Sequence, residues 1–590
     1  VTAPPAEDHI DDDGNGRGEV PAGRIRLLRP LARSLPALFS YLCLSVVLWW
    51  RVLQHVRTTT YGGNDAYLIT WWLRWVPYSA LHHHLPFRTG WLGHPYGVNA
   101  MWNTSVLVLG ALASPVTEMA GPLVAYNMLM IAAPAASAWS CFLLARRLFG
   151  RGWPAFAAGL LYGFSPYFVG QSAGHLQMTW AVFPVLLTWL SLELLVFQTW
   201  SARRLGVLLG VTTGLQLGVS EELLASSACM AAFTVTVLAA CRPTLARSKA
   251  GYAWRTLALA VLVAGLIDAL PLYEQFFGPQ RVAGQVQAQA PGADLLSFIL
   301  PGPLQAWHLP ANGHLVTRVL GGNLSEQTAY LGLPLLLLTA WAAVAVRRTG
   351  TVLLSIPIAI AAVLALGRHL VVGGEHLGLP LPADLLSHVP VLQSMLPVRF
   401  SLYVFLFSAL LIAGWLSRPS NRHSRARVVV TAAAMFTLLP QQLPAFAVPV
   451  PAFFQSGHDD SLVPAGSVAF VAPYPGPAVA AGMLWQADAN MRFRMVGGYF
   501  LGPGAHGKPT FGQHPGALAQ AVSAIAKGKA VPSPDGLVGA AIRQEVVGEH
   551  IDEVIVGPMP AAGAAAHFVA SVLRVKARWT GGVWFLKVRP

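Results

Sequence analysis

Asp65 stands in the segment Tyr61-Gly62-Gly63-Asn64-Asp65-Ala66-Tyr67, directly ahead of the aromatic run Leu68-Ile69-Thr70-Trp71-Trp72-Leu73-Arg74-Trp75. A carboxylate partly desolvated by apolar neighbours yet open to an aqueous reactant has the properties of a general base. Gly62-Gly63 permits the tight turn that would set Asp65 in that position. The competing reading is conformational: Asp is a favoured N-cap, and a helix beginning at residue 66 would use Asp65 that way. Spacing alone leaves both open.

Other polar groups offer partners. His175 lies in Ser172-Ala173-Gly174-His175-Leu176-Gln177, and Glu221-Glu222 form an adjacent acidic pair in a stretch with few other charges. Charged groups near membrane depth are costly and are functional candidates by default, although one of the pair facing water is the plain alternative. Adjacent carboxylates can share a proton or bind a divalent cation. Two residues alone do not make a metal site. Arg399, in Leu396-Pro397-Val398-Arg399-Phe400, and Arg281, Arg318, Arg368 and His369 are candidate cations for an anionic substrate. Arginine holds phosphate oxygens in a bidentate fork, and snorkelling to headgroups is the alternative for each. His82-His83-His84 is poorly spaced for one-sided metal ligation on a helix. Gly497-Gly498-Tyr499-Phe500-Leu501-Gly502-Pro503-Gly504 lacks the dinucleotide fingerprint and reads as a turn.

The elements that must position these groups are membrane helices. Of 590 residues, 54% are hydrophobic and 11% charged, with a mean hydropathy of +0.53. Soluble domains carry roughly 25% charged residues. The net charge of +14 sits in short basic clusters at the ends of apolar runs, which excludes a contiguous nucleic-acid surface. Eleven stretches are candidate spans: about 35–56, 122–145, 153–171, 180–199, 205–220, 223–241, 256–276, 329–346, 352–367, 398–417 and 428–446. Alternate connections (146–152, 200–204, 242–255, 347–351 and 418–427) hold Arg and Lys but no Asp or Glu. The positive-inside rule therefore puts these connections and the N-terminus in the cytoplasm and the C-terminus outside. Residues 105–118 are too short to span and read as an interfacial helix. Cys43, Cys141, Cys229 and Cys241 fall in or beside apolar runs and suggest no disulfide framework.

The expected organisation is a disordered cytoplasmic tail, 1–34, and a polytopic α-helical transmembrane domain, 35–447, with long outer loops 57–121, 277–328 and 368–397. An extracytoplasmic α/β domain, 448–590, follows. Within it, 467–473, 494–500 and 551–556 read as strands, 478–487, 536–547 and 561–572 as helices, and 573–588 as a hairpin turning at Gly581-Gly582.

A single carboxylate early in a long first outer loop, an amphipathic helix behind it, and a second span ending Ala145-Arg146-Arg147-Leu148-Phe149-Gly150 resemble the GT-C superfamily. These are membrane glycosyltransferases that use polyprenyl-phosphate sugars. The likeness covers the first four spans well and the remainder in architecture. His94-Pro95-Tyr96-Gly97-Val98-Asn99 is similar to a pattern in poorly characterised bacterial multi-pass proteins. The resemblance implies a bacterial plasma-membrane enzyme that transfers a sugar with inversion from a polyprenyl-phosphate donor to a cell-envelope glycan or glycolipid. Asp65 matches the catalytic acidic position, with His175, Glu221, Glu222, Arg399 and His94 as substrate-binding candidates. The superfamily often has an acidic pair where this chain has Asn64-Asp65, which leaves a lone base or a different chemistry. A divalent cation is possible; no other cofactor and no nucleic acid is expected. Two rivals stand beside this reading. A flippase or transporter of lipid-linked cargo predicts mid-helix charges and two related halves. A non-catalytic assembly protein predicts that Asp65, His175 and Glu222 lie far apart.

Overall fold

The structure, a computed structural model, describes residues 32–284, 292–309, 314–320, 323–389, 391–419, 424–448, 450–455 and 461–588. Most of the tail read as disordered, residues 1–31, lies outside the described residues. The first helices are α1 (Leu35–Leu48), α2 (Asn64–Leu81), α3 (Leu107–Ala120), α4 (Pro122–Phe149) and α5 (Gly152–Gly163). Next come α6 (Val182–Leu192), α7 (Ala202–Leu217), α8 (Glu221–Cys241) and α9 (Pro243–Phe277). Then follow α10 (Gly332–Ala345), α11 (Ser355–Ala365), α12 (Ser401–Leu416) and α13 (Ser424–Phe436).

Every apolar stretch expected to span contains a helix, and among the described residues five helical runs are long and apolar enough to cross a membrane. Boundaries differ where local chemistry intervenes. The stretch 153–171 breaks after α5, because Pro166 disfavours helical backbone at Ser165 and a new helix, Pro166–Gln171, starts there. The basic connection 242–255 is largely the first part of α9, a 35-residue helix. The last stretch is helical only over the 13 residues of α13. One core joins α1, α4, α5, α10, α11 and α12 through Tyr41, Leu144, Leu161, Leu335, Leu364 and Phe405. In contrast, α9 turns Val261, Leu266 and Phe277 outward, each more than 70% exposed. Apolar side chains so placed suit a lipid solvent.

The C-terminal region carries β1 (Val468–Ala472), α14 (Ala481–Asp488), β2 (Arg494–Met495), α15 (Ala517–Ala526), α16 (Leu537–Gly548), β3 (Glu553–Val556), α17 (Ala562–Leu573), β4 (Ala577–Thr580) and β5 (Val583–Lys587). The five strands form one sheet in the order β4-β5-β3-β1-β2, with β3, β1 and β2 parallel. β1 and β3 are buried along their whole length, β1 as an unbroken apolar run and β3 as Val554-Ile555-Val556 behind the buried Glu553. The reading of 494–500 as a strand is shortened to β2, because Gly497 (φ +80°) and Gly498 (φ +148°) turn the chain away.

This region shares a core with α2. Trp71, Trp72 and Trp75 are essentially buried, in one apolar cluster with Trp485 of α14, Phe454 and Phe493. Trp71 Nε1 donates to Gln486 Oε1 at 2.6 Å. Protein therefore covers the aromatic face of α2. A short antiparallel pairing of Thr59–Thr60 with Phe446–Ala447 closes the same junction.

Candidate functional site

Gly62 sets the site. A Cβ there would lie 2.9 Å from both Ala66 Cβ and Gly174 Cα, so two backbones touch at this point. Gly174, at φ +132°, turns the second chain so that His175 faces the start of α2. The result places His175 Nε2 3.6 Å from Asp65 Oδ2.

α2 begins at Asn64 with Gly63 at the N-cap, so Asp65 lies inside the first turn and is not the cap. The positive end of the helix dipole interacts favourably with a carboxylate there. Its Oδ1 accepts a hydrogen bond from the Tyr499 hydroxyl at 2.8 Å. Burial, reinforced by the negative charge of Asp65, pushes the Tyr499 hydroxyl above its ordinary range and keeps it a donor. Tyr499 follows the Gly497-Gly498 turn, and Asn103 pins the chain two residues on by accepting from Leu501 N (2.7 Å) and donating to Leu501 O (3.0 Å). Asn64 accepts from Ala480 N at 2.9 Å and donates to Pro477 O at 3.0 Å. A carboxylate cannot make the second bond. Asn64 thus clamps the start of α2 onto the C-terminal region.

Burial, with repulsion from Arg399 and against attraction from Asp65, pushes the His175 imidazole down to about 4. It is neutral at pH 7, and its contact with Asp65 is dipolar. Its Nδ1 is buried with no hydrogen-bond partner among the described residues. Across the cavity, Arg399 Nη1 donates to Glu222 Oε2. Glu221 Oε2 accepts from Gln275 Nε2 at 2.8 Å, and the same amide reaches Met101 O at 3.1 Å.

Asp65, His175, Glu221, Glu222, Arg399 and Tyr499 line one cavity of about 390 Å³. Glu326 joins them, so four carboxylates face one guanidinium among the described lining residues. Arg399 is already charge-compensated by Glu222. Among the described residues, no three His, Cys, Asp or Glu side chains come together to hold a metal ion. The Glu221-Glu222 pair splits between Gln275 and Arg399, so the donor set does not fit the divalent cation considered from the sequence.

His94 lies outside this cavity. Its backbone N donates to Met495 O at 3.1 Å, and its half-buried ring faces the Glu549–Asp552 end of the C-terminal region, where burial lowers its basicity. Arg318 pairs with Glu375 at 3.8 Å, and Arg281 reaches Phe276 O at 3.4 Å; neither they nor Arg368 and His369 line the cavity. Sequence reasoning missed Tyr499. The available signal was the Gly497-Gly498 pair directly before an aromatic residue with a polar tip.

No family model and no curated protein matches the chain. Among solved structures, arabinofuranosyltransferase AftD from Mycobacteria overlays on 94% of the chain with a TM-score of 0.51 and 14% identity. The chain spans 41% of the length of that protein. The oligosaccharyltransferase of Archaeoglobus fulgidus matches over 92% of the chain and 72% of its own, with a TM-score of 0.47 and 12% identity. The likeness to AftD is one of fold.

Proposed function

We propose that the chain is an inverting glycosyltransferase that moves a sugar from a polyprenyl-phosphate donor to a hydroxyl of a cell-envelope glycan or glycolipid on the outer membrane face. The observation that carries this reading is the meeting of Asp65, His175 and the Glu222–Arg399 pair in one cavity. The non-catalytic rival requires them apart, and no observation favours the transporter. Fold likeness to AftD supports the class of reaction.

In this reading the acceptor hydroxyl gives its proton to Asp65, and its oxygen bonds to the anomeric carbon from the face opposite the leaving group. The bond from that carbon to the phosphate oxygen breaks, and its electron pair stays on the phosphate. Tyr499 holds one carboxylate oxygen and leaves the other to meet the acceptor. The unprotonated His175 ring, with an unpartnered Nδ1, orients a sugar hydroxyl. Arg399 shares its fork between Glu222 and the departing phosphate, so Glu222 positions the cation. The eleven spans, the cytoplasmic N-terminus and the outward C-terminal region belong to the same proposal, supported by the acid-free basic connections.

The test is an in vitro transfer assay on purified protein with a polyprenyl-phosphate sugar donor. Asp65→Asn should lower the rate by roughly 10²–10⁴, the contribution typical of a positioned base. Full activity in that variant removes Asp65 from the role.

A further inference from the structure

Two sequence motifs have no part in the Asp65 cavity: His82-His83-His84 and His94-Pro95-Tyr96-Gly97-Val98-Asn99. The fold brings them to one place. A second cleft, of about 430 Å³, is lined by His83 and His84 from the first motif and by Pro95, Tyr96, Gly97 and Val98 from the second. Trp75, Arg88, Trp91 and Gln280 complete its working surface, and it shares no lining residue with the Asp65 cavity. Its volume falls in the range of small-molecule sites, roughly 300–1,000 Å³.

The cleft is built around rings. His84 lies 4.9 Å from Trp91 and 6.3 Å from Trp75, and the two indoles are 5.7 Å apart. Trp91 is fixed: its Nε1 donates to Met491 O at 2.7 Å, and the Arg494 guanidinium lies over its ring at 5.3 Å. Tyr96 is the opposite, 72% exposed at the mouth. Gly97 makes that presentation possible, since it sits at φ +73° and a Cβ would come within 2.6 Å of Thr89 O. An exposed aromatic ring at the mouth of a cleft is a surface on which the C–H face of a ligand can stack.

Charge decides which ligand. Arg88 is the one Arg or Lys lining the cleft among the described residues, and its Nη1 faces Glu274 Oε1 at 4.0 Å. A phosphate finds a single half-exposed guanidinium here and no second Arg or Lys among the described lining residues. A neutral polyhydroxyl ring finds what it needs: the exposed Tyr96 ring for its C–H side, and the Arg88 guanidinium, the His83 and His84 imidazoles and the Gln280 amide for its hydroxyls.

We propose that this cleft is a non-catalytic saccharide-binding subsite that grips a neutral pyranose or furanose unit of a glycan. Its chemistry is read from its own rings; that the glycan is the acceptor rests on the glycosyltransferase reading. The cleft and the Asp65 cavity lie on the two sides of the 97–103 turn: Gly97 and Val98 line one, Met101, Trp102 and Asn103 the other. An extended acceptor gripped at one would reach the other over that turn.

The experiment uses the full chain carrying Asp65→Asn, purified in detergent, and saturation-transfer NMR with arabinofuranose, mannose and glucose oligosaccharides. At least one should bind, with Tyr96→Ala and Arg88→Gln each weakening it about tenfold. Both altered side chains are exposed, so these variants should keep the fold; an unchanged melting temperature verifies it. Binding by none of the three, or binding indifferent to both substitutions, overturns the proposal. So does stronger competition by glycerol phosphate than by sugar, which would make the cleft a headgroup site. Saccharide binding in a chain whose wild type transfers no sugar would leave the cleft standing and remove the glycosyltransferase reading.

Discussion

The two ends of α2 have been given opposite chemistries. At its start, Asp65 is set among a tyrosine hydroxyl, a neutral imidazole and a cavity where carboxylates outnumber cations. Just past its end, His83, His84, Trp75 and Trp91 surround a cleft with one half-exposed guanidinium. The first end gathers charged groups around one carboxylate, which is how a protein prepares a site for charge that develops in a reaction. The second offers ring surface with a single cation, which is how a protein holds a ligand without altering it. One helix fixes the separation between the two, so the comparison predicts that damage to one end leaves the other intact.

The largest break should come from Asp65→Asn, with its roughly 10²–10⁴ loss of transfer rate and no change in saccharide binding at the far cleft. Arg399→Ala should follow, with a loss of about 10²–10³ in kcat. It strands Glu222 as well, so Glu222→Gln/Arg399→Met should fold better than the single variant while remaining slow, measured by melting temperature and rate together. Asn64→Asp replaces the donor to Pro477 O by a second acceptor; a cost of about 1–3 kcal/mol is expected, read from denaturant or thermal unfolding. If Asn64→Asp instead raises activity, the amide is a weakened catalytic acid and not a clamp. Tyr499→Phe removes one hydrogen bond from the base and should lower kcat about tenfold with little change in KM.

His175 supplies the gentlest test. Its folded pKa of about 4 lies below the ordinary 6.5, so the unfolded chain takes up a proton first as pH falls. The stability tied to its neutral state is fully present above about pH 6.5 and is lost as pH drops towards 4. His175→Asn should flatten that part of the melting-temperature profile. An unchanged slope would place the acid sensitivity elsewhere.

The apolar stretches were legible because length and hydropathy are local properties, and each of them holds a helix. The break at Ser165-Pro166 was passed over in reading 153–171 as one span, although the proline carried the signal. What covers α2 was not legible: Trp71, Trp72 and Trp75 present the same face whether lipid or protein lies against it. Asp65 could be singled out by its neighbours in sequence, and so could His175 and the Glu221-Glu222 pair. Tyr499 is 434 residues from Asp65, and nothing near it announces a carboxylate partner. Arg399 was visible as a cation, but its pairing with Glu222 spans 177 residues. That pairing turns an expected bare phosphate ligand into a shared one.

The hydrogen bond from Trp71 to Gln486 joins residues 415 apart. At a synthesis rate of roughly 5–20 residues per second, about 20–80 s pass between the making of the two partners. Throughout that interval the three tryptophans of α2 await the surface that will cover them. The nascent chain must keep an aromatic ridge from finding a wrong neighbour until its final quarter arrives.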